Sequence, residues 1–339
     1  MGLLVVITLC LNSKTTSANE IYVTQVGSDT DIDIVQDGND NKVRSLSTTS
    51  GRASLHGSNK TVSLTQNGNN NRVGMWTSGS NQGIISTQNG NSNVSKIDNH
   101  GNNNDIAVNI TGNSNVTHTE IGNGGDDNNN MNVTIANGHS NNVYAEVLNG
   151  DSNNVDVQIH EQSNNIMRVT VNGNSNNVKA WQGKKENGVI DTNETGNNEG
   201  YWIVNGNSNN LASYQTDDNN NGGQHFANYV TGNNNAVELT QMGAGDHKGF
   251  VEIGGSGNSV ELHQQGNESD NMFADIVLDN SHSVDVYQRY ASHTATIDLT
   301  NGGGAYSLDL DQNGTTNQSY TMTGICTNTS GCSVAVEQN

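Results

Sequence analysis

Glycine recurs at Gly57, Gly68, Gly79, Gly90, Gly101 and Gly112, six times at steps of eleven residues. The steps then vary between ten and thirteen through Gly125, Gly138, Gly150, Gly173, Gly183, Gly196 and Gly206, with Gln162 in the slot before Gly173. After a gap near Asn219 the series resumes at Gly232, Gly243, Gly255 and Gly266. It runs on through Asp279 and Tyr290 to Gly302 and Gly314, while Gly27 and Gly38 open it, for roughly 25 units in all. A chain built this way folds as a stack of like units, because one such unit is too short to bury a core alone.

The content of the unit selects the secondary structure. Gly232-Asn233-Asn234-Asn235-Ala236-Val237-Glu238-Leu239-Thr240-Gln241 is one copy, and Gly255-Ser256-Gly257-Asn258-Ser259-Val260-Glu261-Leu262-His263-Gln264 is another. Asn stands three after Gly, aliphatic residues five and seven after it, and Gln often nine after it. Offsets of one parity share a face of a strand, so each unit is a short strand with one semi-apolar face. Gly and Asn between strands tolerate the backbone of a tight turn. A helix is excluded by the sparse apolar positions and the density of Gly and Asn.

The glutamines set the coil. Gln66 and Gln88 are 22 residues apart, and Gln215, Gln241, Gln264, Gln288, Gln312 and Gln338 follow at spacings of 23 to 26. They mark alternate units. The sequence therefore predicts an all-β fold, a β-solenoid with two short strands per 22–26-residue coil and Asn/Gly turns. Coils about 4.8 Å apart would stack the Gln amides into a ladder, and about 12 or 13 coils would make a rod roughly 60 Å long. A three-strand coil of about 34 residues is the rival geometry. Between residues 110 and 204 the Gln slot reads Ile110, Ala136, Leu148, Val171, Trp181, Glu194 and Val204.

Composition agrees. Of 339 residues 31% are hydrophobic, and there are 39 glycines and no proline. Proline removes a ladder donor, so its absence fits a backbone that hydrogen-bonds along its length. A net charge of −21 disfavours a nucleic-acid partner. The aspartates are expected to sit irregularly rather than in every coil, because carboxylates stacked in register repel.

Leu3–Leu11 is the one long apolar run, too short to span a membrane and of the length of a signal-peptide core. Residues 1–18 read as a signal peptide cleaved after Ala18, and 19–339 as a single repeat domain with no membrane span. Cys326 and Cys332 are then the remaining cysteines, placed for a short disulfide loop in an oxidising compartment.

The junctions carry a family resemblance. Gln36-Asp37-Gly38-Asn39-Asp40-Asn41, Gln66-Asn67-Gly68-Asn69-Asn70-Asn71, Gln88-Asn89-Gly90-Asn91-Ser92-Asn93 and Gln312-Asn313-Gly314-Thr315-Thr316-Asn317 share Gln-x-Gly-x-x-Asn, and Gln25-Val26-Gly27 opens the array in the same way. In this the chain resembles the curlin repeat family, the subunits of bacterial curli fibres. The resemblance implies a secreted subunit that polymerises with copies of itself into extracellular amyloid-like fibres, contributing to a biofilm matrix and to surface adhesion. It also implies a nucleator subunit and an outer-membrane secretion pore as partners. A monomeric solenoid adhesin, or a fibre spacer that binds host or glycan surfaces, is the alternative.

The structural residues are then a Gln ladder of Gln25, Gln36, Gln66, Gln88, Gln215, Gln241, Gln264, Gln288, Gln312 and Gln338. The turn positions are Gly38, Asn41, Gly68, Asn71, Gly90, Asn93, Gly232, Asn235, Gly255, Asn258, Gly314 and Asn317. No nucleophile elbow or P-loop is present, and the ten histidines are scattered without paired spacing. No catalytic residue, metal site or cofactor is expected. Gly122-Asn123-Gly124-Gly125-Asp126-Asp127 is a single acidic, glycine-rich segment, not a tandem calcium array. Both ends, Ile21-Tyr22-Val23-Thr24-Gln25 and Ser333-Val334-Ala335-Val336-Glu337-Gln338-Asn339, read as strands in register.

Overall fold

The computed structural model describes residues 5–9, 18–21, 23–26, 31–44, 53–57, 59–79, 81–122, 126–183, 198–216, 225–243, 248–266, 273–278, 281–299, 305–324, 326–328 and 330–338. Most of the expected leader, Glu194, Gly196, Asp279 and Gly302 lie outside them. The described residues form an all-β solenoid of about 11 turns with roughly 24 residues per coil, without helices. The described strands pair in parallel, as a solenoid requires: each bonds its equivalent one coil away. No helix among the described residues is long and apolar enough to cross a membrane.

The repeat region divides into two compact units. The first comprises residues 1–163 and 170–172, the second 164–169 and 173–339. In the first unit one sheet stacks Val5–Leu9, Asp31–Asp37, Thr61–Asn67, Gly83–Asn89, Asp105–Asn113, Asn130–His139 and Asn154–His160 in that order. A second sheet stacks Glu20–Ile21, Lys42–Val43, Arg72–Thr77, Val94–Asn99, Val116–Ile121 and Asn142–Asn149; Val23–Val26 and Ala53–His56 pair beside it.

In the second unit the corresponding sheets are, first, Asn177–Gln182, Asn210–Thr216, Ala236–Met242, Ser259–Gln265, Ser283–Arg289, Tyr306–Asn313 and Cys332–Gln338. The other stacks Glu199–Asn205, His225–Thr231, Lys248–Ile253, Phe273–Leu278, Thr294–Asp298 and Ser319–Thr323. Each coil thus has one strand per sheet, except that Lys42–Val43 and Ala53–His56 share a coil and both stack on Arg72–Thr77. A regular three-strand coil of about 34 residues is not the geometry of these residues. Coil length is less uniform than the glutamine spacing suggests. Gln36 stacks on Gln66 after 30 residues and Gln182 on Gln215 after 33. The second of these long coils holds three glycine steps, Gly183, Gly196 and Gly206, but one turn, which lowers the coil number below a count made from glycines.

The alternation becomes a core. In Ser259–Gln265 the even-numbered residues Val260, Leu262 and Gln264 are buried and stack on Val237, Leu239 and Gln241. Each strand therefore contributes two aliphatic side chains and one end residue to a narrow interior. Full burial of such an aliphatic side chain is worth about 1.5–3 kcal/mol, and each is covered only by its neighbours above and below. In the last coil those columns are half-exposed: Val334, Val336 and Gln338 stack on buried Leu308, Leu310 and Gln312 and have nothing stacked beyond them among the described residues.

Candidate functional site

The sequence expectation of stacked amides has a definite geometry. In the first unit Gln36 Nε2 donates to Gln66 Oε1 at 2.8 Å and Gln66 Nε2 to Gln88 Oε1 at 2.9 Å. In the second, an unbroken series runs from Gln182 through Gln215, Gln241, Gln264, Gln288 and Gln312 to Gln338, each bond 2.7–2.9 Å. A second amide hydrogen reaches across the coil. Gln88 Nε2 donates to Arg72 O at 3.1 Å and Gln241 Nε2 to His225 O at 3.2 Å, so the ladder also ties one sheet to the other. Every bond runs from the N-terminal glutamine to the C-terminal one. That gives each series a polarity, and at their N-terminal ends Gln36 Oε1 and Gln182 Oε1 are both buried without a hydrogen-bond partner among the described residues.

Three readings of the ladder are corrected. Gln25 lies in Val23–Val26, whose backbone register sets it opposite Leu55 and outside the Gln36 column. Gln182, not Trp181, occupies the slot, because the junction before Gly183 is one residue shorter. Ile135, not Ala136, stacks on Ile110, because the strand shifts register between there and Gly138. The amide column of the first unit therefore gives way to buried Ile110, Ile135 and Ile159.

Turn asparagines form two further columns. Buried Asn71, Asn93, Asn115 and Asn141 each donate their backbone N–H to the Oδ1 of the asparagine one coil before, over 3.0–3.1 Å. The side-chain amide then donates forward, as from Asn41 to Gly68 O, Asn71 to Gly90 O and Asn93 to Gly112 O at 2.7–2.8 Å. One asparagine thus bridges three coils. In the second unit the backbone N–H groups of Asn209, Asn235 and Asn258 donate to Oδ1 of Asn176, Asn209 and Asn235. The side-chain amides of Asn176, Asn209 and Asn235 donate forward to Gly206 O, Gly232 O and Gly255 O, and His282 takes the next place with its backbone N–H on Asn258 Oδ1 at 2.8 Å. An exposed column runs beside the first: the backbone N–H groups of Asn39, Asn69, Asn91 and Asn113 donate to Asn69, Asn91, Asn113 and His139. Asn317 belongs to an exposed column, accepting from Ser292 N at 3.2 Å, because the last Gly-x-x-Asn turn is one residue out of step with the buried slot.

Between the Gly and the buried Asn one residue adopts the left-handed conformation: Asp40, Asn70, Ser92, Ser114, Ser208 and Asn234 have φ of 57–60°. Serine recurs there although it lacks the glycine-like freedom that the turn calls for.

Lys60 departs from the turn chemistry. It fills the slot that Gln82 and Asn104 fill in the next two coils, is 1% exposed, and directs its ammonium at Ser78 O, Gly79 O and Gln82 Oε1. Burial brings its pKa down to about 8. In the acidic glycine-rich segment Asn123–Gly125 lie outside the described residues. Asp126 Oδ1 accepts the Gly150 N–H at 2.7 Å and Asp127 Oδ1 the Asn102 N–H, so both oxygens serve turns. Cys326 and Cys332 are joined by a disulfide with Cα atoms 5.8 Å apart.

The carboxylates are not irregular. Glu238, Glu261, Asp285 and Asp309 stand opposite one another in four consecutive strands of the second unit, and Asp311 stands opposite Glu337. Burial, then Glu261, Asp309 and Asp311, push the Asp285 pKa up. Burial, with Glu252 and Asp298, does the same to Asp275 on the opposite sheet. The folded state binds these protons more readily than the unfolded state, so their favourable contribution is complete below the unfolded carboxylate pKa and is lost as pH rises through the raised one. Acidification from pH 7 toward pH 4 is expected to raise the stability of the second unit. At pH 7 Asp285→Asn is expected to add a few tenths to about 1 kcal/mol, an effect that added salt shrinks. Thermal unfolding of both proteins at two pH values and two salt concentrations checks this. A variant no more stable than the parent at low salt contradicts it.

These features define a parallel two-strand β-solenoid whose coils are joined by polar amide ladders as well as by an apolar core. No protein-family model matches the chain, and no curated protein matches it.

Proposed function

We propose that the chain is a secreted structural protein whose coils act as templates for copies of itself, giving end-to-end extracellular fibres of the curli type. The observation that carries the reading is the polarity of the glutamine ladder. Within each series every Gln amide donates to the next, Gln36 Oε1 is an open acceptor, and Gln338, which accepts from Gln312, ends the second series with its own amide hydrogens turned toward the open edge. The same bond that joins coil to coil within a unit would join Gln338 of one copy to Gln36 of the next, with backbone ladders and Asn columns alongside. The half-exposed Val334 and Val336 would be buried by the incoming coil. Such fibres would serve as a matrix and adhesive material outside the cell. A disulfide at Cys326–Cys332 fits an oxidising compartment.

The leader enters this reading directly. Val5–Leu9 pairs with Asp31–Asp37, setting Leu9 opposite Gln36 and so occupying the edge that a second copy would use. Removal of residues 1–18 would free it. Purified protein comprising residues 19–339 is therefore expected to form fibres visible by electron microscopy and to be seeded by its own fragments, while the 1–339 chain lags far behind. A leaderless chain that stays monodisperse at high concentration, seeded or not, contradicts the reading.

A further inference from the structure

The glutamine and asparagine columns face inward or line the turns. On the outer face of the second sheet in the first unit, two neighbouring strands assemble a different kind of site. Val94–Asn99 and Val116–Ile121 pair with Lys96 opposite His118 and Asp98 opposite Glu120. The inward residues Ser95, Ile97, Thr117 and Thr119 are buried, so alternation projects these four side chains together on the opposite face.

The ligand atoms of Asp98, His118 and Glu120 lie within 4.8 Å of one another. His118 Nε2 is 3.4 Å from Glu120 Oε2 and 3.9 Å from Asp98 Oδ2. The Lys96 ammonium sits among them, 2.5 Å from Asp98 Oδ2 and 2.8 Å from His118 Nε2. An ammonium has only hydrogens to offer, so at that distance His118 Nε2 is the acceptor and its lone pair points into the cluster. The imidazole is held from the other side by Tyr144, whose ring meets it edge-on at 4.2 Å between centroids. Lys96 is the loosest member: its side chain is 40% exposed, and its neighbour in the preceding coil is Gly74, which leaves room for it to swing away.

We propose that Asp98, His118 and Glu120 form a zinc-binding site in which Lys96 is an exchangeable internal cation. One imidazole nitrogen and two carboxylate oxygens are a donor set for a borderline divalent ion, with a fourth position open to water. Separations of 3.4 and 3.9 Å come close to the edge of a tetrahedron with bonds of about 2.1 Å, and small carboxylate rotations bring the third ligand in. Zinc entry displaces Lys96 to solvent, replacing one positive charge by two between two carboxylates. The inference is independent of the assembly reading, since all three ligands come from one copy.

Calorimetric titration of the full chain with zinc chloride at pH 7.5 tests it, with the Cε1–H resonance of His118 as a second readout. Saturable binding of one zinc per chain is expected, with the His118 resonance moving in step. His118→Ala should weaken that event by at least about tenfold and Asp98→Asn by a similar factor, whereas Lys96→Met should tighten it several-fold by removing the competitor. All three side chains face outward, and unchanged circular dichroism confirms that the variants fold. No saturable binding, equal affinity in His118→Ala, or weaker binding in Lys96→Met overturns the proposal.

Discussion

Gln264→Glu is expected to cost about 3–5 kcal/mol at pH 7, among the largest effects that exchange of a single side-chain group can have in this protein. In the parent, Gln264 Nε2 donates to Gln288 Oε1 at 2.8 Å and to Lys248 O at 3.4 Å, while Oε1 accepts from Gln241 at 2.9 Å. The side chain is fully buried. Glutamate keeps the shape and the contact with Gln241. Its second oxygen then faces two acceptors, and its charge has no partner at that depth. Protonation restores a donor, so the penalty should shrink as pH falls. Gln264→Leu separates charge from hydrogen bonding. It should cost less, about 2–3 kcal/mol, for leaving Gln241 and Gln288 short of partners, and show no such pH dependence. Hydrogen exchange should place the loss in Ala236–Met242, Ser259–Gln265 and Ser283–Arg289, since a solenoid coil is held mainly by its neighbours. Equal stability of the Glu variant at pH 4 and pH 7 would remove the ladder from the account of stability.

Gly232→Ala should be comparably damaging, about 3–5 kcal/mol, for a backbone reason. Gly232 has φ +134°, a region that L-residues rarely adopt, and a Cβ there collides with the carbonyl of Gly255 in the next coil. Neither the turn nor the coil spacing can relax alone, because that carbonyl also accepts from the Asn235 side chain at 3.0 Å. Two residues on, Asn234 has φ 57° and exposed surroundings. Asn234→Gly should be neutral or slightly stabilising, since glycine adopts that conformation without strain. Chemical denaturation of the pair checks the contrast. Gly232→Ala within about 1 kcal/mol of the parent would show that the turns tolerate more than their geometry implies.

The class of fold was legible because it depends on parity and on a repeated turn. Val237 and Leu239, then Val260 and Leu262, reveal the inward face, and Gly232 with Asn235 reveals the turn, whatever the exact coil length. Column membership depends on that length. One extra residue near Ala136 moves the inward slot to Ile135, and one fewer before Gly183 hides Gln182. Columns were therefore misread wherever a junction gained or lost a residue.

The same limit explains the unexpected groups. Glu238, Glu261, Asp285 and Asp309 are separated by 23, 24 and 24 residues, so their stacking is a coil-period signal hidden among scattered acids. Asp98 and Glu120 are 22 apart, as are Lys96 and His118, while histidines compared only with histidines show no pairing. Lys60 had no signal of its own. Only the register shows that it stands where its neighbouring coils carry Gln82 and Asn104.

If Gln338 of one copy stacks on Gln36 of the next, then Ala335 must stand opposite Asp33 across the junction, at the strand spacing of about 4.8 Å. Both positions are exposed. Carrying Asp33→Cys and Ala335→Cys together on leaderless protein places two thiols within disulfide reach only when copies join in that register. Oxidation of the assembled material should yield covalent multimers, and peptide mass spectrometry should find positions 33 and 335 linked between copies. Fibres that cross-link through any other pairing, or protein that remains monomeric without cross-links, would contradict end-to-end growth along the glutamine ladder.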